Sequence, residues 1–244
     1  MEFMQNILEY YDELFPVAPV QKEFYLQLLQ TFQTPPKLLS IYCGSGSFEQ
    51  VLARSGYDVT GIDTSPVLLE SANRKRRMPG TSIRFFQMST LEMTRFLGKS
   101  FYSVISCLNG RAAFIHDTTL LRKFFFDCRS LLTPGGALIL QLPNYDYFSA
   151  EPSVELPAVE SIRSKLHTRL VTQDDGSKYI VQQVETSSGR LVTIADREPV
   201  FPLTESRIRE FAASVGFSHV TCWSGFDKQP FAPDLSPFLV CELR

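Results

Sequence analysis

The chain has little of what several protein classes depend on. Its 244 residues hold one tryptophan, three histidines and five cysteines. His116, His167 and His219 are scattered, with no carboxylate or cysteine at ligand spacing, so no metal site is expected. The cysteines are odd in number and form no Cys-x-x-Cys pair. Cys107, Cys128, Cys222 and Cys241 stand in apolar patterns, where thiols act as small core residues. That usage implies a reducing, cytoplasmic compartment. No apolar run approaches the ~20 residues of a membrane span. Near the start, Glu2 and Glu9 replace the basic-then-apolar pattern of an export signal. Charge of either sign is also lacking in excess. A formal net charge of −2 gives no electrostatic motive for a nucleic-acid partner. The one basic cluster, Arg74 to Arg77, reads as the solvated end of a helix. No Gly-x-Ser-x-Gly elbow, internal repeat or low-complexity segment is present.

What is present is concentrated between Lys37 and Asp63. Leu38, Leu39 and Ile41 form an apolar run that leads into Cys43-Gly44-Ser45-Gly46. A helical pattern follows, with Phe48, Val51 and Leu52 on one face, and then a second apolar run, Val59 to Ile62, ends in Asp63. Strand, glycine turn, helix, strand and acid is the layout of a nucleotide-binding βαβ unit. Glycines allow the backbone to approach a ligand where a Cβ would collide. A dinucleotide fingerprint wants a third glycine where this chain has Glu49, which weakens a nicotinamide reading.

Those residues resemble the first motif of the class I S-adenosylmethionine-dependent methyltransferases. The family pattern is apolar-apolar-acid-apolar-Gly-Cys-Gly-Thr-Gly, against Leu38-Leu39-Ser40-Ile41-Tyr42-Cys43-Gly44-Ser45-Gly46 here. Ser40 stands where the family has an acid that organises the turn and the methionine-amine end of the cofactor. Tyr42 stands where it has its first glycine. The resemblance further implies that Tyr11-Asp12 belongs to an N-terminal helix lying over the cofactor, with an aromatic that merely pins that helix to the domain equally open, and that Ser89 stands near the adenine, where an acid is usual. It implies a ribose contact for Asp63 and cofactor contacts for Tyr11, Cys43, Gly44, Ser45, Gly46, Thr64, Ser89, Thr90, Leu108 and Asn109.

Along the chain, residues 1–32 read as helical with a break marked by Pro16 and Pro19. Thr64-Ser65-Pro66 starts the next helix. Ile83 to Phe86 is a third strand and Phe101 to Cys107 a fourth. An amphipathic helix over Thr119 to Leu132 stops at Thr133-Pro-Gly-Gly136, and Ala137 to Leu142 is the fifth strand. This helix, stop and strand are common in the family. From Glu151 to Pro202 polar and apolar residues alternate in three runs, 165–172, 178–185 and 191–198, which read as antiparallel strands. A helix over Thr204 to Val215 and strands over His219 to Trp223 and Ser236 to Leu243 close the chain.

The expected fold is α/β: a Rossmann-like, doubly wound, seven-stranded and mostly parallel sheet with an antiparallel seventh strand. Residues 1–150 and 203–244 form its core and N-terminal cover, and residues 151–202 an antiparallel β insertion after the fifth strand that acts as a substrate lid. The resemblance implies in-line methyl transfer from S-adenosyl-L-methionine to nitrogen or oxygen of a small molecule, leaving S-adenosyl-L-homocysteine. Such transfer needs alignment more than acid–base help, so no catalytic residue is named. Ligands of these sheets lie beyond the carboxyl ends of the strands. Arg111, Asn144 and Tyr145 are therefore the candidates for acceptor contact, with a turn-and-packing role equally open for Asn144 and Tyr145. The rival reading is a methyltransferase-like cofactor-binding or partner-binding module without turnover. Neither a nucleic-acid nor a membrane partner is expected, and oligomeric state is left open.

Overall fold

The computed structural model describes residues 7–148 and 151–244; the start of the expected N-terminal helix lies outside them. The first described helices are α1 (Tyr11–Leu14) and α2 (Pro19–Gln30), separated at the proline-marked break. Then strands and helices alternate: β1 (Lys37–Ile41), α3 (Ser47–Arg54), β2 (Asp58–Asp63), α4 (Pro66–Arg76), β3 (Ile83–Gln87), α5 (Met93–Phe96), β4 (Tyr102–Cys107), α6 (Thr118–Leu131) and β5 (Leu132–Pro143). The insertion carries β6 (Ser153–Glu155), β7 (Val159–Glu160), β8 (Ser164–Thr172), β9 (Lys178–Thr186) and β10 (Leu191–Val200). The chain closes with α7 (Glu205–Ser214), β11 (Val220–Trp223) and β12 (Phe238–Leu243).

The main sheet has seven strands in the order β11-β12-β5-β4-β1-β2-β3. β1 to β5 pair in parallel, and β12 is antiparallel to both β5 and β11. Both faces are covered, which is why its strands are continuous apolar runs. Alternate residues feed two cores. Leu38, Val104 and Ile139 pack with α2, α3 and α4 on one side. Leu39, Ile105 and Leu138 pack with α6 and α7 on the other. Helix starts follow local chemistry: Ser65 accepts the Leu68 N–H at 3.4 Å, and Asp117 accepts the Leu120 N–H at 2.8 Å. Among the described residues no helix is long and apolar enough to cross a membrane.

The insertion is a separate antiparallel sheet, β10-β9-β8-β6, with β7 also paired to β8. Three strands were expected and five are present. The extra two, β6 and β7, span three and two residues, too few for an alternation to declare itself. Leu166 and Leu170 of β8, and Ile180 and Val184 of β9, turn inward and are buried. The Arg163 guanidinium ties this sheet to α1 and the residues before it, reaching Glu9 at 3.0 Å and Glu13 at 2.7 Å.

Candidate functional site

The turn from β1 to α3 is stitched to β2. The Cys43 N–H donates to the Ile62 carbonyl at 3.0 Å, and the Gly44 N–H donates to an Asp63 carboxylate oxygen at 2.8 Å. The other Asp63 oxygen accepts the Ser65 N–H at 2.8 Å. Gly44 and Gly46 have φ of +58° and +78°, the left-handed region that glycine enters freely. Tyr42 also sits there, at φ +58°, with a full side chain. That conformation costs roughly 1–2 kcal/mol. The ring offsets it by packing against the main core, and its hydroxyl lies beside Thr90. Burial pushes the Tyr42 phenol up to about 12. The glycine of the family pattern thus corresponds to a real backbone demand that Tyr42 meets under strain.

α1 lies directly on this turn. A Cβ built on Gly44 would come within 2.1 Å of the Tyr11 hydroxyl. Burial pushes that phenol up to about 12, against the lowering pull of Arg111. Beside it, Asp12 accepts from the Ser45 hydroxyl, from the Ser47 hydroxyl at 2.8 Å and from the Arg76 guanidinium. Burial raises the Asp12 carboxyl, but the two hydroxyls and Arg76 outweigh it and hold the group below its ordinary value. Arg76 also donates to the Ser45 carbonyl at 3.3 Å and to Gln50 at 3.3 Å. The basic cluster is therefore not wholly solvated. Arg74, Lys75 and Arg77 are exposed, while Arg76 binds α1 to the turn.

Three cavities meet at this end of the sheet. One, of about 270 Å³, is lined by Asp63, Thr64, Ser65, Tyr11, Tyr42, Arg111 and the insertion residues Gln182, Ile194 and Glu198. A second, of about 40 Å³, lies against Ser40, Cys43, Ser45, Glu49, Leu108 and Asn109. The third, of about 280 Å³, lies between the tips of β4 and β5 and the inner face of the insertion. Its walls include Leu14, Phe114, Leu142, Tyr145, Leu166 and Ile180, with Asn109, Gln141, Thr168 and Gln182 as polar points. Phe15 borders all three cavities, and Gln182 borders the two larger ones. Gln182 faces Thr168 across β8 and β9 and donates to its hydroxyl at 3.0 Å.

The other sequence candidates divide. Asn109 lies at the β4 tip at φ +56°, and its N–H donates to Gln141 Oε1 at 3.1 Å. The Arg111 guanidinium stands 5.6 Å from the Phe15 ring centre and 5.7 Å from that of Phe114. Tyr145 is buried against the third cavity. Ser89 is turned to local work, because both its N–H and its hydroxyl donate to Glu92 at 3.0 Å. Asn144 is fully buried, and its amide donates to the Pro233 and Ser236 carbonyls, each at 2.7 Å. Of its two readings, the turn residue is the one this geometry fits. Sequence reasoning missed Phe15, Gln141, Gln182 and Glu49. Alternation along β9 places Gln182 between Ile180 and Val184 on the inward face, a signal that was legible. Glu49, spaced three and four residues before Leu52 and Ala53, was a carboxylate on the buried side of α3.

Residues 38–136 match the family model of the methyltransferase domain. That match supports a class I S-adenosylmethionine-dependent methyltransferase domain over those residues. The glycine/sarcosine N-methyltransferase of Aphanothece halophytica is 25% identical over 93% of this chain and 84% of its own. A protein named as a methyltransferase in Geobacillus sp. (strain WCH70) is 27% identical over 57% of this chain, which spans about half (56%) of that relative. Among solved structures, the CcbJ methyltransferase of Streptomyces caelestis superposes with a TM-score of 0.78 at 18% identity, over 98% of this chain and 95% of its own. The fold is the methyltransferase fold, and the matches support S-adenosylmethionine as the cofactor, which the residues at the turn suit. Two glycines in left-handed backbone let Tyr11 and Phe85 pack directly on the turn, and a carboxylate faces the adjoining cavity.

Proposed function

We propose that this methyltransferase acts on an uncharged, largely apolar small molecule, and that the insertion roofs the acceptor. The observation that carries this reading is the third cavity. Among the described residues that line it, none is charged: its polar groups are amides, a threonine hydroxyl and a buried tyrosine. Burying a carboxylate there without a cation would be costly. Glycine and sarcosine, named for the Aphanothece relative, therefore fit it poorly. Arg111 belongs to the neighbouring cavity with Asp63.

When bound, S-adenosylmethionine supplies a methyl group already activated on a sulfonium. The protein's part is to hold and align. Asp63, whose two oxygens each retain a lone pair beyond the Gly44 and Ser65 bonds, would accept from the ribose hydroxyls. Tyr11 and Thr64 border the same cavity, while Ser45 of the glycine turn borders the smaller one beside it, where the chain that carries the sulfur would lie. Phe15 and Gln182, at the junction of the cavities, would flank the line between acceptor and methyl group and keep water from it. The amides of Asn109, Gln141 and Gln182 can orient an amine, but they cannot deprotonate an aliphatic alcohol. An amine nitrogen with a free lone pair is therefore favoured over an alcohol oxygen.

The test is transfer of labelled methyl from S-adenosylmethionine to matched acceptors: neutral apolar amines, the corresponding alcohols, and glycine or sarcosine. Turnover is expected with the amines. Preferred turnover of glycine or sarcosine would overturn the reading.

A further inference from the structure

We propose that Glu49 receives the α-ammonium of the methionyl group, supplying from the first turn of α3 the carboxylate that the family pattern places at position 40. The proposal rests on the reading above that the turn and Asp63 hold the cofactor.

Glu49 is 1% exposed, yet its Oε2 has no hydrogen-bond partner. A buried carboxylate oxygen left unpaired is costly and calls for an explanation. The side chain borders the smallest cavity, together with Ser40, Cys43 and Ser45 of the glycine turn. Ser40, on the strand beneath, supports the Glu49 carboxyl with its hydroxyl. A serine at position 40 borders the cavity without a charge to offer an ammonium, but it can brace an acid that enters from the helix. The cofactor's methionyl end carries one ammonium, and a carboxylate facing that end is its natural partner.

The surrounding charges fit this role. Burial pushes the Glu49 carboxyl up to about 7, against the lowering pull of Ser40. Asp63 raises it further and Arg76 lowers it. Tyr25 and Cys43 also feel its charge, and both are themselves raised by burial. Arg76 gives its hydrogen bonds to Asp12, Ser45, Ser47 and Gln50, leaving Glu49 Oε2 unmatched. An arriving ammonium would supply the missing partner and favour the ionised carboxylate. Affinity should then fall as acid protonates Glu49.

Calorimetric titration with S-adenosylhomocysteine and with 5′-methylthioadenosine separates the possibilities. Both carry the nucleoside and neither carries the sulfonium, but only the first has the amino-acid end. Glu49→Gln should weaken S-adenosylhomocysteine tenfold or more and leave methylthioadenosine within twofold. Between pH 8 and pH 6 the parent protein should lose about tenfold in S-adenosylhomocysteine affinity, with a flat profile in Glu49→Gln. Adding Ser40→Asp to Glu49→Gln should restore at least part of the loss, which a merely structural role would not produce. Equal weakening of both ligands, or unchanged S-adenosylhomocysteine affinity, would overturn the proposal. If the parent protein bound neither ligand, the cofactor-site assignment itself would fail, and the proposal with it.

Discussion

The sheet that carries the glycine turn and the sheet that covers it are buried in opposite ways. In β4 every residue from Tyr102 to Cys107 is buried, because helices pack on both faces. In β8 burial is intermittent, with Leu166 and Leu170 turned inward and most of the others partly in solvent. A strand enclosed on both faces can offer polar groups to a ligand only at its tips. There stand Asp63 at the end of β2 and Asn109 just past β4. A strand with one wet face can set polar groups within the span of its inward face, as Thr168 and Gln182 do. The first arrangement ties the candidate cofactor residues to the integrity of the core. The second would let the covering sheet, the proposed roof, change with little consequence for folding.

Removing the roof breaks that comparison most severely. If residues 151–202 are replaced by a short Gly/Ser linker, methyl transfer should fall below detection. S-adenosylhomocysteine affinity should drop by less than tenfold, since Asp63 and the turn remain; the shorter connection costs no more closure entropy than the insertion it replaces. Complete loss of binding by a folded core would mean that the two sheets form one inseparable site.

On the core side, Asp63→Asn removes one acceptor from the Gly44–Asp63–Ser65 arrangement and the charge facing the cavity. Charge-assisted bonds contribute roughly 1.5–3 kcal/mol each. S-adenosylhomocysteine should therefore bind at least tenfold more weakly, at about 1.4 kcal/mol per decade. An affinity within twofold of the parent would remove Asp63 from the site.

Tyr42→Gly should act more gently, and in the other direction. It releases a left-handed tyrosine at φ +58° but gives up the packing of its ring. Cofactor affinity should stay level or rise, and a large loss would show that the ring itself supports the ligand. Arg163→Ala should do least. Its ion pairs to Glu9 and Glu13 are largely exposed, and such pairs contribute about 0–1 kcal/mol. Thermal unfolding should scarcely shift. A marked drop would show that the link between α1 and the roof is cooperative.

The legible parts of the site were those held by local chemistry. Gly44 and Gly46 announce left-handed backbone, and Ser65-Pro66 announces a helix start. Asp63 is placed by the length of its strand. Arg76 and Asn144 were harder to read, because their partners lie 64 and at least 89 residues away in the chain. Neither spacing nor residue type marks such a pairing. β6 and β7 escaped because strands of three and two residues carry no period.

By itself the sequence determined the alternation of strands and helices, the glycine turn, the acid after it and the inward face of the insertion. Each follows from periodicity or from a backbone angle that few residues tolerate. Tertiary structure decided how those pieces face one another. It set Tyr11 over Gly44, joined Asp12 to Arg76, and brought Phe15 to the meeting point of the three cavities. It also left one oxygen of Glu49 buried without a partner. The physical reason is that a side chain's desolvation and hydrogen bonding depend on neighbours distant in the chain, which become neighbours only when both sheets have packed.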